Sequence, residues 1–165
     1  MEEATWLNHA SEARKEVVLK ARELMSAQPA CCTPDDTIQK AARLMRDNDC
    51  GCIPVVEDTK TNRLTGVITD RDIALRCTAE GKGPRTLVRE AFSRDLKTCS
   101  SDDDIQAIEK IMAEEQVRRV PVVDDGGCCV GMISQADLAL NSNAASESEV
   151  GRVVESISAP AQAMH

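Results

Sequence analysis

The sequence predicts an α/β fold built twice from one unit, and three observations carry that expectation. The stretch "CTPDDTIQKAARLM" at 32–45 recurs 67 positions later as "CSSDDDIQAIEKIM" at 99–112, and "CIPVV" at 52–56 recurs at the same offset as "RVPVV" at 119–123. Each copy passes from a helical period into short runs of β-branched residues. The phrase "GVITDRDIAL" at 66–75 returns as "GMISQADLAL" at 131–140, offset by 65 because "EDTKTNRLTG" is two residues longer than "DDGGCCVG". That change of length falls in a turn, where the entropy of loop closure alters little.

The elements follow in order. Val17, Val18, Ala21, Leu24 and Met25 make an apolar stripe that predicts an N-terminal helix. A short extended piece at 30–33 precedes a helix whose apolar face is Ile38, Ala41, Ala42 and Met45, with Asp35 and Asp36 near its positive end. Residues 53–56 and 64–69 read as two strands around a polar turn, and a helix opens at Asp70–Asp72. The second copy repeats this: an extended piece at 96–99, a helix striped by Ile105, Ile108, Ile111 and Met112 with Ser101 and Asp104 at its start, strands at 120–123 and 129–134, and a helix from Gln135. Pro54 and Pro121 cannot donate to a ladder, so each is expected at a strand's first residues or on an edge. One such unit cannot cover both faces of its own sheet, which is the reason to expect the two copies to share a core. Residues 141–148, "NSNAASES", read as a polar linker, followed by a stripe at Val150, Val153, Val154 and Ile157 that predicts a last helix ending before Pro160.

Composition narrows the function. Twenty basic against 28 acidic residues give a formal charge of -8, which argues against phosphate-neutralising contact with a nucleic acid, and Trp6 and Phe92 are too few aromatics for base stacking. No run approaches the roughly 20 apolar residues of a membrane span. The first 25 residues, with Glu2, Glu3, Glu12, Glu16 and Glu23, do not read as a signal peptide, so the expected location is cytoplasmic. The eight cysteines are then expected as reduced thiols, mostly acting as small apolar side chains, with no Cys-x-x-Cys pair to suggest a metal site. Enzyme chemistry has little to draw on: the histidines, His9 and His165, lie near the termini. "GKGPRT" fails as a phosphate loop because the required glycine position is Arg76.

The repeated phrase offers a hydroxyl, Thr69 or Ser134, where a strand ends, and an aspartate, Asp72 or Asp137, three residues on. Free amides at the helix start and these side chains would suit a phosphate and a ribose diol. The same residues would equally make a capped helix that binds nothing.

The tandem helix-strand-Pro-turn-strand-Gly-x-x-Thr/Ser-x-x-Asp unit, over about residues 24–140, resembles the cystathionine β-synthase-type (CBS) domain, and the pair resembles a Bateman module. It is similar to the stand-alone bacterial CBS-pair proteins, including the hypoxic-response type, in phrases such as "TDRDI" and "QVRRVPV". The resemblance implies two β-α-β-β-α repeats packed as a pseudo-twofold pair with N- and C-terminal helical extensions. The divisions would be an N-terminal helix at 1–23, repeat 1 at 24–80, linker and repeat 2 at 81–140, and a polar linker, short helix and tail at 141–165. It further implies a regulatory module, not an enzyme, that takes AMP, ADP, ATP or S-adenosylmethionine between its repeats, forms a homodimer and signals to a partner protein.

Carried onto this chain, one pocket combines Thr69, Asp70, Arg71 and Asp72 with Ser100, Arg118, Arg119 and Val120, and the other combines Ser134, Gln135, Ala136 and Asp137 with Thr33, Gly51, Cys52 and Ile53. The implied roles are Asp72 and Asp137 on ribose, Thr69 and Ser134 on ribose or phosphate, Ile53 and Val120 against adenine, and Arg118 and Arg119 on phosphate. Gly51 and Cys52 stand where the other copy has its two arginines, so the pockets are expected to differ. An interaction-only scaffold with degenerate pockets, or a cysteine-based metal or redox sensor, are the alternatives.

Overall fold

The computed structural model describes residues 19–141. The expected stripes at Val17–Val18 and at 150–157, the linker at 141–148 and the tail lie outside these residues, wholly or nearly so. Within them run α1 (Ala21–Leu24), β1 (Ser26–Ala27), α2 (Ile38–Asp47), β2 (Cys52–Val56), β3 (Leu64–Thr69) and α3 (Asp70–Ile73), the last continuing as a π-helical turn over Ala74–Thr78. A 3-10 turn at Val88–Glu90 leads into β4 (Cys99–Ser100), α4 (Ile105–Glu115), β5 (Arg119–Val123), β6 (Cys129–Ser134) and α5 (Gln135–Asn141). The second strands of both copies fall at the residues expected from the alternation. The N-terminal stripe does not run as one helix to Met25. That residue is extended, at φ -65° and ψ 144°, because it leaves α1 to lie over Gly131.

Each repeat folds a β-hairpin under its helices. β2 pairs antiparallel with β3, from Cys52 opposite Thr69 to Val56 opposite Leu64, and β5 pairs with β6 from Arg119 opposite Ser134 to Val123 opposite Cys129. A bulge interrupts both ladders at the same place, between Val55 and Val56 and between Val122 and Val123. Pro54 meets the edge expectation, since β2 lies in a two-stranded sheet, and Pro121 departs from it. Both are mid-strand, and β5 is interior, in the order β1-β6-β5-β4. They are tolerated because Asp70 N bonds Gly51 O and Gln135 N bonds Arg118 O, which puts Pro54 and Pro121 at alternate positions whose nitrogens point away from the partner strand. On that outer side the parallel neighbour begins later, with Cys32 opposite Val55 and Cys99 opposite Val122.

The two repeats exchange their lead-in segments. Ala21 N and Arg22 N bond Asp103 O and Ser101 O of repeat 2, while the equivalent Val88 N and Arg89 N bond Asp36 O and Pro34 O of repeat 1. The ion pairs follow the same rule, Arg22 with Asp102 and Arg89 with Asp35. Ala21 therefore belongs to the core of repeat 2 with Ile108, Met112, Val120 and Ile133, whereas Val88, Ala91 and Phe92 complete the core of repeat 1 with Ile38, Met45, Ile53 and Ile68. Gly66 and Gly131 make this crossing possible. A Cβ at Gly66 would run into the Ser93 carbonyl and lie 2.5 Å from the Phe92 ring, and one at Gly131 would run into the Met25 side chain.

Candidate functional site

Thr69 ends β3 in extended conformation and caps α3: its hydroxyl accepts from Asp72 N at 3.1 Å. Asp72 Oδ2 returns the bond, accepting from Thr69 N at 3.0 Å and Thr69 Oγ1 at 2.7 Å. Ser134 and Asp137 repeat this geometry, with Asp137 Oδ2 accepting from Ser134 N at 2.7 Å and Ser134 Oγ at 2.6 Å. Such reciprocal bonds satisfy the orphan amides of a helix start. The expectation of free amides at the repeat 1 turn is corrected here: Asp70 N is bound to Gly51 O, Arg71 N to Asp70 Oδ1 and Asp72 N to Thr69. Positive charge for an anion must then come from side chains.

Those side chains lie at equivalent places in the two repeats. Gly51 and Cys52 stand opposite Asp70 and Thr69, as Arg118 and Arg119 stand opposite Gln135 and Ser134. The Cys52 thiol feels the Arg119 guanidinium of the other repeat as well as the carboxylates of Asp72 and Asp70 in its own. Burial holds the Cys52 thiol at about 12, and Arg119 offsets this only in part. Arg118 is exposed and Arg119 half-buried. Gly51 has a local reason: a Cβ there would lie 2.9 Å from Asp70 Oδ2.

Other expected residues take supporting positions. Thr33 N bonds Asp36 Oδ2 and Ser100 N bonds Asp103 Oδ2, both at 2.8 Å, the same turn before each repeat's first helix. Ile53 and Val120 correct a second expectation, since both side chains are buried in the cores of their own repeats, at 1% and 0% exposure. Alternation along each strand turns them inward, and their backbone groups face the partner strand, opposite Ile68 and Ile133. Sequence reasoning did not single out Arg76 as a site residue. Its Nε lies 3.5 Å from Asp72 Oδ1 while its Nη1 donates to Ala91 O at 2.7 Å and to Ser93 Oγ at 3.3 Å, tying the Asp72 turn to the crossing lead-in. Its i, i+4 spacing from Asp72 was the available signal.

A surface depression of about 460 Å³ lies on repeat 1 alone, lined by Ala42, Met45, Arg46, Asp49, Cys50, Gly51, Asp70 and Ile73. It shares Gly51 and Asp70 with the residues above but not Thr69, Asp72 or the arginines. Among the described residues no group of three or more His, Cys, Asp or Glu is placed to hold a metal ion, and no helix is long and apolar enough to cross a membrane.

The duplicated hairpin, exchanged lead-ins and doubled Thr/Ser-x-x-Asp cap coincide with two matches to the CBS domain, at residues 21–77 and 88–142. The chain belongs to the CBS-domain family. It is 41% identical over 120 residues to the CBS domain-containing protein YhcV of Bacillus subtilis, covering 73% of this chain and 83% of that one. To hypoxic response protein 1 of Mycobacterium tuberculosis it is 37% identical over 120 residues, covering 72% and 82%. A crystal structure of hypoxic response protein I with two coordinated zinc ions superposes with a TM-score of 0.67 at 35% identity, covering 74% of this chain and 98% of that one. The CBS domain pair of protein MJ0100, solved with 5'-methylthioadenosine and S-adenosyl-L-methionine, gives a TM-score of 0.67 at 25% identity, covering 74% and 98%. The CBS pair thus makes up most of the relatives as well as most of this chain, and some structural neighbours bind adenosine ligands.

Proposed function

We propose that this CBS pair is a regulatory module that binds an adenosine phosphate, AMP, ADP or ATP, in the cleft between its repeats and reports occupancy to a partner protein. The observation that carries the reading is that the Cys52 thiol lies close enough to feel both Arg119 of the other repeat and Asp72 of its own. In this reading Asp72 is the ribose acceptor from one repeat and Arg119 the phosphate partner from the other. Asp72 Oδ1 lies outside the capping bonds and, beside its 3.5 Å pairing with Arg76 Nε, can accept from a ribose hydroxyl, and Thr69 Oγ1 retains one lone pair. Arg118 and Arg119 supply charge-assisted bonds to phosphate. The pocket built on Ser134 and Asp137, with Gln135 and Ala136, takes Thr33, Gly51 and Cys52 as its other wall and gains no arginine from it. It suits a ligand of little negative charge, such as S-adenosylmethionine, or stays empty. The MJ0100 pair, with two different adenosine compounds in one structure, supports treating the sites as unlike.

The module acts as a homodimer in the cytoplasm, without catalysis. Leu75 and Leu140, equivalent in the two repeats and 53% and 73% exposed, give the helical faces a matching apolar contact. Light scattering at micromolar concentration is expected to give twice the chain mass, and a monomer overturns the dimer.

Calorimetric titration with AMP, ADP, ATP and S-adenosylmethionine tests the site. Asp72→Ala and Arg119→Ala are each expected to weaken the tighter adenosine phosphate site about tenfold or more, equivalent to about 1.4 kcal/mol. Asp137→Ala is expected to leave it nearly unchanged. Loss of that site in Asp137→Ala refutes the pairing of turn and arginine, and no binding of any compound favours an interaction-only scaffold.

A further inference from the structure

The seam between the two hairpins holds a pair of thiols that nucleotide binding does not use. Arg63 and Cys128 form an antiparallel bridge, with Cys129 N bonded to Asn62 O at 2.8 Å and Leu64 N to Gly127 O at 3.0 Å, so the start of β6 is fixed to repeat 1. From the other side, Gln28 N bonds Val130 O and Cys32 N bonds Pro54 O, both at 3.0 Å, and the segment between them crosses from one repeat to the other. Cys31 on that segment meets Cys129 sulfur to sulfur, while Cys31 Sγ also contacts Pro29 O at 3.2 Å and Cys129 Sγ contacts Gly131 O at 3.6 Å. Backbone bonds on both sides hold the two residues in place, although they are far apart in sequence.

The two thiols differ in access. Cys129 is buried and Cys31 is half-buried. The hydrogen bond with Cys129 lowers the Cys31 pKa against the opposing effect of burial, and the same bond with burial raises that of Cys129. Burial pushes Cys32, Cys52 and Cys99 up to about 12, and it raises Cys77 and Cys128 as well. A thiolate, not a thiol, is the nucleophile, and Cys31 is a partly accessible thiol with a second thiol beside it.

We propose that Cys31 and Cys129 form an oxidisable pair that a hydroperoxide closes into a disulfide, clasping the crossing segment to β6. The Cys31 thiolate attacks a peroxide oxygen and the O–O bond breaks. The leaving oxygen departs as water or an alcohol after taking a proton, and Cys31 is left as a sulfenic acid. The Cys129 sulfur then attacks the Cys31 sulfur, the S–O bond breaks, and the sulfenic oxygen leaves as water with the Cys129 proton. Two thiols give up two electrons and the peroxide accepts them. A small thiol reverses the reaction by exchange. The clasp restrains the repeats against one another and fixes the segment that carries Thr33, so it tightens the seam without touching the arginines.

The test uses the full chain, reduced and then exposed to hydrogen peroxide, alkylated and digested without reductant. The expected product is one linked peptide, assigned by fragmentation to Cys31 and Cys129, with an intact mass lower by two hydrogens and restored by dithiothreitol. Cys31→Ser should abolish the link, Cys50→Ser should retain it, and Cys129→Ala should leave Cys31 as a sulfenic acid that dimedone traps. If Cys129→Ala does not fold, Cys31→Ser and the assigned linkage decide. A link between Cys31 and Cys32, a link that survives in Cys31→Ser, or oxygen added to Cys31 in the unaltered chain without any link overturns the proposal.

Discussion

Repeat 1 and repeat 2 share a backbone but not a charge pattern. Their caps are alike, Thr69 with Asp72 and Ser134 with Asp137, and their ladders bulge at the same step. At the mouth of the cleft, however, Gly51 and Cys52 of one occupy the places of Arg118 and Arg119 in the other. The positions that fold the hairpin are kept and the positions just before and at the start of the first strand diverge in charge. The proposed pair of unlike sites rests on that divergence.

The frame predicts equality in the cores. Ile68 and Ile133 are equivalent and both fully buried. Ile68→Ala and Ile133→Ala are each expected to cost about 2–5 kcal/mol in urea denaturation, and to agree within about 1 kcal/mol of each other. A single transition should persist in both variants because the lead-ins cross. Two separated transitions, or a large inequality, would break the view of one shared structure.

The glycines sharpen the comparison by a smaller amount. Gly66→Ala drives a methyl into the Ser93 carbonyl and the Phe92 ring, where backbone must shift, and overpacking of this kind costs about 1–3 kcal/mol. Gly131→Ala meets only the Met25 side chain, which is flexible and can turn away. Urea midpoints should therefore fall further for Gly66→Ala than for Gly131→Ala. The reverse order would mean that the two crossings are packed differently from the description above.

These crossings also mark what the sequence conveyed and what it did not. The strands at 64–69 and 129–134 were legible because alternation and a bounding turn specify them locally. The caps were legible because a hydroxyl and an aspartate three residues on suffice for a capping box. Upstream, "ARELMS" at 21–26 matches "VREAFS" at 88–93 at the same offset of 67, a signal that extends the repeat beyond the start expected at 24. Even that match does not say which core each lead-in enters, since apolar burial is equally satisfied by either. Arg119 was legible as a charge. Its nearness to Cys52 depends on the angle between two hairpins, which no local pattern encodes.

The smallest difference lies in a charge that only one copy has. Asp36 and Asp103 make the same backbone bond, to Thr33 N and Ser100 N, but Asp36 also pairs with Lys40 at 2.8 Å, where repeat 2 has Ala107. Burial would raise the Asp36 carboxyl, yet Lys40 and the Thr33 amide outweigh it and hold it below its ordinary value. A carboxylate depressed in the folded state stabilises fully above its unfolded pKa, about 3.9, and loses that contribution as pH falls through the folded value. Lys40→Ala removes part of this, and an i, i+4 pair with an exposed lysine is worth about 0.3–0.5 kcal/mol. The deficit of the variant should therefore be constant near neutral pH and shrink as pH falls below about 4, where the carboxyl protonates in both proteins. Ala107→Lys should supply repeat 2 with the same pair and a gain of similar size. Urea midpoints taken across this pH range check both, and a deficit that persists at the lowest pH would assign the effect to the lysine's packing and not to its charge.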